Sequence, residues 1–480
     1  MITLPQTKSW AKAILHTAKG FKPSPLTVLS GAIPAGLRGS LYRNGPGRLE
    51  RGGQRVGHWF DGDGAILGVH FTDAGATGVY RYVQSAEFQA EEQADRFIYG
   101  GYGMNPPGAF WERFKPTKNA GNTSVLALPA APKSPRGRLL ALWEGGHPYA
   151  LDLETLETRG LDDLDGLPKS LPFSAHPKRD AQTGDIYNFG VSFGKAATLN
   201  VYRLDANGNF KQKNSVELNG SSLIHDFVMA GRYLIFFVPP VRLNVVPLLL
   251  KLKSFSDAFQ WKPELGTQIL VFDRNSLELL SRGETQPWYQ WHFGNGFVNA
   301  DGDAVIDVVR YDNFNTNQYL KEVATGETHT SSKSTLWQVR LNPLTGNVVE
   351  THELLDRSCE FPVVKPQEVG EFNRTTYLLL HRRGVESGQD FFGSIARFDQ
   401  KTGDLMEADL GENRYPMEPI YAPDAENSNQ GWIVTVVYDG NCDRSEVWVF
   451  DSDRLSDQPV CRLALPEVIP LGFHGTWKPA

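Results

Sequence analysis

One short phrase recurs along most of the chain and constrains its fold more than any other feature: an alternating apolar strand, an Asp or Asn, a turn, and another strand. Tyr149-Ala150-Leu151-Asp152, Val201-Tyr202-Arg203-Leu204-Asp205 and Leu270-Val271-Phe272-Asp273 are three copies. Leu336-Trp337-Gln338-Val339-Arg340-Leu341-Asn342, Ile395-Ala396-Arg397-Phe398-Asp399 and Val447-Trp448-Val449-Phe450-Asp451 are three more. The Asn-Gly and Thr-Gly pairs that follow some copies supply the positive-φ residues a tight hairpin needs. The marker residues 152, 205, 273, 342, 399 and 451 stand 53, 68, 69, 57 and 52 residues apart. Such an interval suits a four-stranded propeller blade with inserted loops. With residues 30–110 strand-rich enough for a further blade, the expected architecture is all-β, a seven-bladed β-propeller over residues 30–480, with loops and short helices capping its axis. A pair of β-sandwiches is the alternative, but does not call for so regular a recurrence.

Charge and cysteine content narrow the function. The net charge of -7 over 480 residues provides no basic field for a phosphate backbone, so nucleic acid is not an expected partner. Cys359, Cys442 and Cys461 are too few and too irregular for a disulfide framework and point to a reducing, cytoplasmic setting. Two segments carry a membrane question. Trp10, Ile14, Ala18 and Phe21 fall at helical spacing, so residues 1–29 read as an N-terminal amphipathic segment that lies on a membrane or packs on the body. Lys12, His16 and Lys19 interrupt it, which argues against a signal peptide. Between Leu234 and Trp261 an apolar excursion is broken by Pro239, Pro240 and Pro247 and followed by Lys251 and Lys253. It reads as a lipid-dipping surface or a buried crossover, and supports an expectation of peripheral membrane association.

A propeller brings residues distant in sequence to one axis. Four of the 11 histidines stand at strand edges beside small or turn-forming neighbours, in different repeats: His176, His225, His292 and His474. Neutral imidazole is the commonest protein ligand for a transition metal. His16, His147 and His381 have polar, exposed-looking neighbours, and spacing alone leaves a structural role open for all. Glu144, Glu360 and Glu418 lie in apolar settings, where a carboxylate needs a partner; a ligating imidazole is one, an Arg or Lys another. Asp61-Gly62-Asp63-Gly64 reads as a turn and not a calcium loop, since the later glutamate is missing.

Together, Leu41-Tyr42-Arg43-Asn44-Gly45-Pro46-Gly47, Phe60-Asp61-Gly62-Asp63-Gly64, Ser174-Ala175-His176-Pro177, Ile224-His225-Asp226-Phe227, Cys359-Glu360-Phe361-Pro362, Glu418-Pro419-Ile420-Tyr421 and Phe473-His474-Gly475-Thr476-Trp477 resemble the carotenoid cleavage oxygenase family. The likeness is strongest to its cyanobacterial apocarotenoid 15,15'-oxygenase branch. The resemblance implies Fe(II) held by His176, His225, His292 and His474, with Glu144 behind His225, Glu360 behind His292, Glu418 behind His474, and no carboxylate behind His176. It further implies an apolar polyene cleaved with O2 into two carbonyl products, as in retinal-forming cleavage of an apocarotenal. Phe60, Thr123, Trp143, Trp291 and Phe361 are the implied substrate-binding residues. Two related activities compete. A stilbene-cleaving dioxygenase would recognise a phenol through a tyrosine and a lysine; Phe88 stands where the tyrosine is expected, and Lys118 is the candidate lysine. A retinoid isomerohydrolase branch is disfavoured by the absence of a membrane-anchoring cysteine cluster. A non-enzymatic propeller binding module is the reading from another class, and predicts no bound iron.

Overall fold

The computed structural model describes residues 8–132, 134–194, 196–456 and 458–480. The chain is predominantly β. Six of its sheets have four or more strands, and the eight-stranded one is two four-stranded units joined by a single parallel pairing, Ala230 with Gly296. Within most units, consecutive strands pair antiparallel as a meander. Ser124–Leu128, Arg138–Leu142, Tyr149–Leu151 and Thr158–Leu161 form one of them.

The repeated Asp or Asn explains the repeated hairpin. Each lies at or just after the end of its unit's third strand, and its side-chain oxygen accepts backbone N–H groups two or three residues on: Glu154 and Thr155 on Asp152, Leu344 and Thr345 on Asn342, Lys401 and Thr402 on Asp399. The side chain thus closes the turn that the backbone must make before the outer strand. Gly346 and Gly403, both at φ 74°, complete two of these turns in the left-handed region.

The apolar faces of the strands are buried between neighbouring units. Ile66 and Val79 of the first sheet pack with Leu139 of the next; Leu140 and Leu142 pack with Tyr202 and Leu204 of the third. The pattern continues until Val434 and Val449 of the last sheet meet Leu67 and Tyr80 of the first. The two ends of the described chain are also tied together, because Gly475–Pro479 pairs with Gly39–Arg48.

The N-terminal stretch departs from the sequence expectation. The helix covers only Ser9–Leu15, and Phe21 begins an edge strand, Phe21–Pro25, paired with Gly75–Tyr82. Thr27–Gly31 is an edge strand of the last sheet. Trp10 and Ile14 are buried, Trp10 against Phe391 at a centroid distance of 4.5 Å, so the helix's apolar side faces the body and not a bilayer. The Leu234–Trp261 stretch divides as well. Tyr233–Val238 is a fully buried strand, whereas Val246, Leu249 and Leu252 are 66%, 67% and 68% exposed around the short helix Val245–Leu249. Among the described residues no helix is long and apolar enough to cross a membrane.

Candidate metal centre

Strand starts build this site. His176 stands just ahead of the strand Lys178–Arg179, His225 of Val228–Ala230, His292 of Phe293–Val298 and His474 of Gly475–Pro479. Each is therefore presented at the same end of its unit. Their ligand nitrogens all lie within 4.8 Å of one another. Nε2 of His176 is 2.9 Å from Nε2 of His225, and the same atoms of His292 and His474 are 3.1 Å apart.

The three glutamates stand behind three of these rings. His292 Nδ1 is 2.6 Å from Glu360, His474 Nδ1 is 2.9 Å from Glu418, and His225 Nδ1 contacts Glu144. Among the described residues no carboxylate pairs with His176. Backbone amides hold the carboxylates in turn: Phe361 N–H donates to Glu360 and Gly475 N–H to Glu418, while Tyr311 Oη donates to the other Glu360 oxygen. Burial favours neutral Glu360 and Glu418, yet His292 and His474 respectively outweigh it and pull both below the usual carboxylate range. Burial, reinforced by the other imidazoles, pushes His176 well below its ordinary value, and burial also lowers His474 despite Glu418. Burial thus favours the neutral, ligating form of His176 and His474, whereas at His292 the Glu360 carboxylate outweighs burial and raises the pKa.

The donor set fits a metal ion. A carboxylate at Nδ1 takes that nitrogen's proton as a hydrogen bond and leaves Nε2 as a bare acceptor. His292 and His474 are both so placed, and their Nε2 atoms face each other across 3.1 Å, an arrangement that a shared cation would satisfy. Two nitrogens about 2.1 Å from a metal and at right angles to each other would stand about 3 Å apart, close to the separations seen.

The C-terminal tail reaches this position through close backbone approach. A Cβ on Gly45 would lie 2.4 Å from Gly472 Cα, so only glycine fits there. Asn44 N–H then donates to the His474 carbonyl and His474 N–H to the Thr123 carbonyl. Arg43, buried, donates to the carbonyls of Glu418 and Phe473, fixing both sides of the His474 pair. Asp226, next to His225, accepts Phe293 N–H beside His292 and pairs with Lys178 beside His176. Sequence reading assigned no role to Arg43 or Asp226, although both stand within the motifs that carry the family resemblance. It also misjudged His381, which is buried.

A cavity of about 790 Å³ opens onto His225, His292 and His474, and Phe60, Thr123, Trp143, Trp291 and Phe361 all line it. Phe361 stacks on His292 at 5.3 Å, and Trp291 lies edge-on to His225 at 4.8 Å. The phenol-recognising pair falls elsewhere. Phe88 stacks on Tyr82 in the core, and Lys118 is buried between Asp63 and Glu91, where those carboxylates outweigh burial and raise its pKa. Neither lines the cavity. Asp63 also binds Arg51, so the Asp-Gly-Asp-Gly stretch is structural.

Imidazoles backed by carboxylates and facing an aromatic cavity make this a candidate polyimidazole metal centre. The chain belongs to the retinal pigment epithelial membrane protein family, which matches residues 16–479 and is the carotenoid oxygenase family anticipated above. It is 29% identical over 499 residues to the apocarotenoid-15,15'-oxygenase of Synechocystis, covering 99% of both chains, and 27% identical to resveratrol cleavage oxygenase 1 of Aspergillus fumigatus, covering 93% of this chain and 91% of that one. A crystal structure of cobalt-substituted Synechocystis apocarotenoid oxygenase superposes with a TM-score of 0.89 at 28% identity, covering 98% of each chain.

Proposed function

We propose that this protein is an Fe(II)-dependent dioxygenase that splits one conjugated double bond of an apocarotenoid into two carbonyl compounds. The seven units would be the blades of one closed propeller, with His176, His225, His292 and His474 holding the iron on its axis. The observation that carries this reading is the convergence of those rings, three of them carboxylate-backed, on an aromatic cavity in a chain of this family. Ferrous iron would supply the dioxygen chemistry, in which an electron-rich alkene and O2 give two carbonyls with no further reductant.

The chain's own residues would do the rest. Glu144, Glu360 and Glu418 keep the Nδ1 protons and so fix each ring's tautomer and aim. Arg43 and Asp226 lock the backbone on either side. Phe60, Trp143, Trp291 and Phe361 offer flat apolar walls that select a polyene by shape, since it brings few hydrogen-bonding groups. Thr123 lies against His474 and narrows the approach. The exposed Val246, Leu249 and Leu252, with Phe110, Trp111 and Phe114, form an apolar rim beside the cavity residues Leu248 and Phe114, through which a lipid-borne substrate would enter.

Retinal-forming 15,15' cleavage is the specific reaction favoured by the likeness to the Synechocystis enzyme. The stilbene alternative loses its lysine to the Asp63–Glu91 ion pairs. A binding module without chemistry leaves the facing imidazoles unexplained. Aerobic incubation of Fe(II)-loaded protein with apocarotenals, carotenes and stilbenes, with products identified by mass, tests the reading. Paired carbonyl products from apocarotenals are expected; cleavage of stilbenes alone, or of nothing, would overturn it.

A further inference from the structure

The cavity has two unlike ends. A relay of ring contacts runs along its wall: Phe193 to Phe255 at 5.9 Å, Phe255 to Tyr102 at 5.8 Å, Tyr102 to Phe60 at 5.5 Å, Phe60 to Phe473 at 5.4 Å, Phe473 to Trp59 at 4.6 Å and Trp59 to Phe391 at 5.9 Å. At its first end Phe193 is half exposed, and Lys115, Lys251 and Leu249 belong to the same rim. The other end is closed and polar.

There the lining changes to Ser332, Ser334, Ser387 and His381, beside Phe391 and Phe392. Ser334 Oγ is committed to the Cys359 carbonyl. Ser387 Oγ accepts Ser332 N–H at 3.0 Å, which leaves its own proton to give. His381 is 5% exposed, its ring lies 4.4 Å from that of Phe392, and its Nδ1 meets no hydrogen-bond partner. A buried polar atom left so is destabilising, and a ligand that bonds to it recovers that loss.

Charge selects what that ligand is. The charged side chains lining the cavity are Lys115 and Lys251 at the rim and the three glutamates at the metal centre. Arg382, next to His381, turns its guanidinium to the carbonyls of Gly411 and Arg414. Burial, with Arg382 and Arg357 adding to it, lowers the His381 pKa to about 4, so the ring is neutral near pH 7. A carboxylate would find no free counter-ion here, because Arg382 pairs with Asp390 and Arg357 with Glu407, whereas a neutral oxygen would find an imidazole nitrogen and two hydroxyls.

We propose that this closed end, formed by Ser332, Ser387 and His381, binds a neutral oxygen-bearing end group, a ring hydroxyl or carbonyl, of a substrate whose apolar body spans the cavity. The inference rests on the polyene reading above and adds that the substrate is oxygenated at the end held farthest from the rim. Selection then has two parts, with shape setting the chain and the serine–histidine end setting its terminus.

The test is an anaerobic titration of the Fe(II)-loaded protein, read by quenching of tryptophan fluorescence. The probes are two apocarotenals of equal length, one with a hydroxylated ring and one with a plain hydrocarbon ring. Wild type should bind the hydroxylated probe up to about tenfold more tightly, the scale of one buried hydrogen bond. His381→Phe and, independently, Ser387→Ala should bring the ratio of dissociation constants towards one. Equal affinity in wild type, or a preference that survives both changes, overturns the inference. If the probes bind equally and air then converts both into paired carbonyls, only this inference falls; if neither binds, the polyene reading falls with it.

Discussion

Two buried clusters of charge lie in this molecule, and they are balanced differently. In the first sheet Arg51 and Lys118 face Asp63 and Glu91, with Lys118 bonded to both carboxylates and Arg51 to Asp63. Two buried cations meet two buried anions, and the half-exposed Glu92 that Arg51 also binds is shared with Arg48, so nothing further is required. Around the imidazoles, among the described residues, three carboxylates have only the Arg43 guanidinium as a fixed cation close by, because Lys178 and Asp226 cancel each other. That leaves carboxylates in excess of fixed cations at the point where four imidazole nitrogens converge. A self-satisfied cluster holds a fold together, whereas a cluster short of a divalent cation marks a site.

The sharpest way to break the comparison is His292→Ala, which should abolish bound iron and polyene cleavage together, measured by metal analysis and product mass. Retention of stoichiometric iron would remove the contrast. Lys118→Met should act on the other cluster alone. It strands buried carboxylates and should destabilise the fold by about 3–5 kcal/mol in denaturant unfolding, while the folded fraction still binds iron. Glu360→Gln keeps a hydrogen-bond partner for His292 but removes one of the negative charges that call for a cation, and should weaken iron binding or cleavage about 10- to 100-fold with little change in the melting temperature.

Smaller effects belong to the surface. Replacing Val246, Leu249 and Leu252 by serine should reduce liposome partitioning without altering iron content; unchanged partitioning would move substrate entry elsewhere. Glu322 shows what a solvent-screened carboxylate contributes. It accepts the N–H groups of His329 and Thr330 and the Thr330 hydroxyl, and despite its partial burial these bonds lower its pKa to about 2. Its folded value is depressed, so its contribution exists above the ordinary carboxylate range and fades as pH falls from about 5 towards 2. Glu322→Gln should therefore lower the melting temperature slightly at pH 7, with the difference closing in acid.

The outer hairpins were legible in the sequence because one local event makes each of them: an Asp or Asn side chain accepting its own downstream amides. The histidines were legible only in part. Small and turn-forming neighbours set His176, His225, His292 and His474 apart from His381 and the rest, but left a structural role open, and it is the family resemblance that makes them ligand candidates. His381 was misread because the arginine beside it looks solvent-seeking, yet Arg382 bonds to carbonyls and leaves the imidazole inside. The N-terminal helix was placed correctly at Trp10 and Ile14 but drawn too long, since Gly20 at φ 79° turns the chain into an edge strand. Arg43 and Asp226 act through backbone groups on remote strands, and such pairings become visible only once the units are assembled.

An anomalous difference map at the iron absorption edge, from crystals loaded with ferrous ion under argon, addresses the central claim most directly. A single peak per chain, within coordination distance of the four Nε2 atoms of His176, His225, His292 and His474, is the predicted result. Density at any other position, or none among those rings after loading, would contradict it.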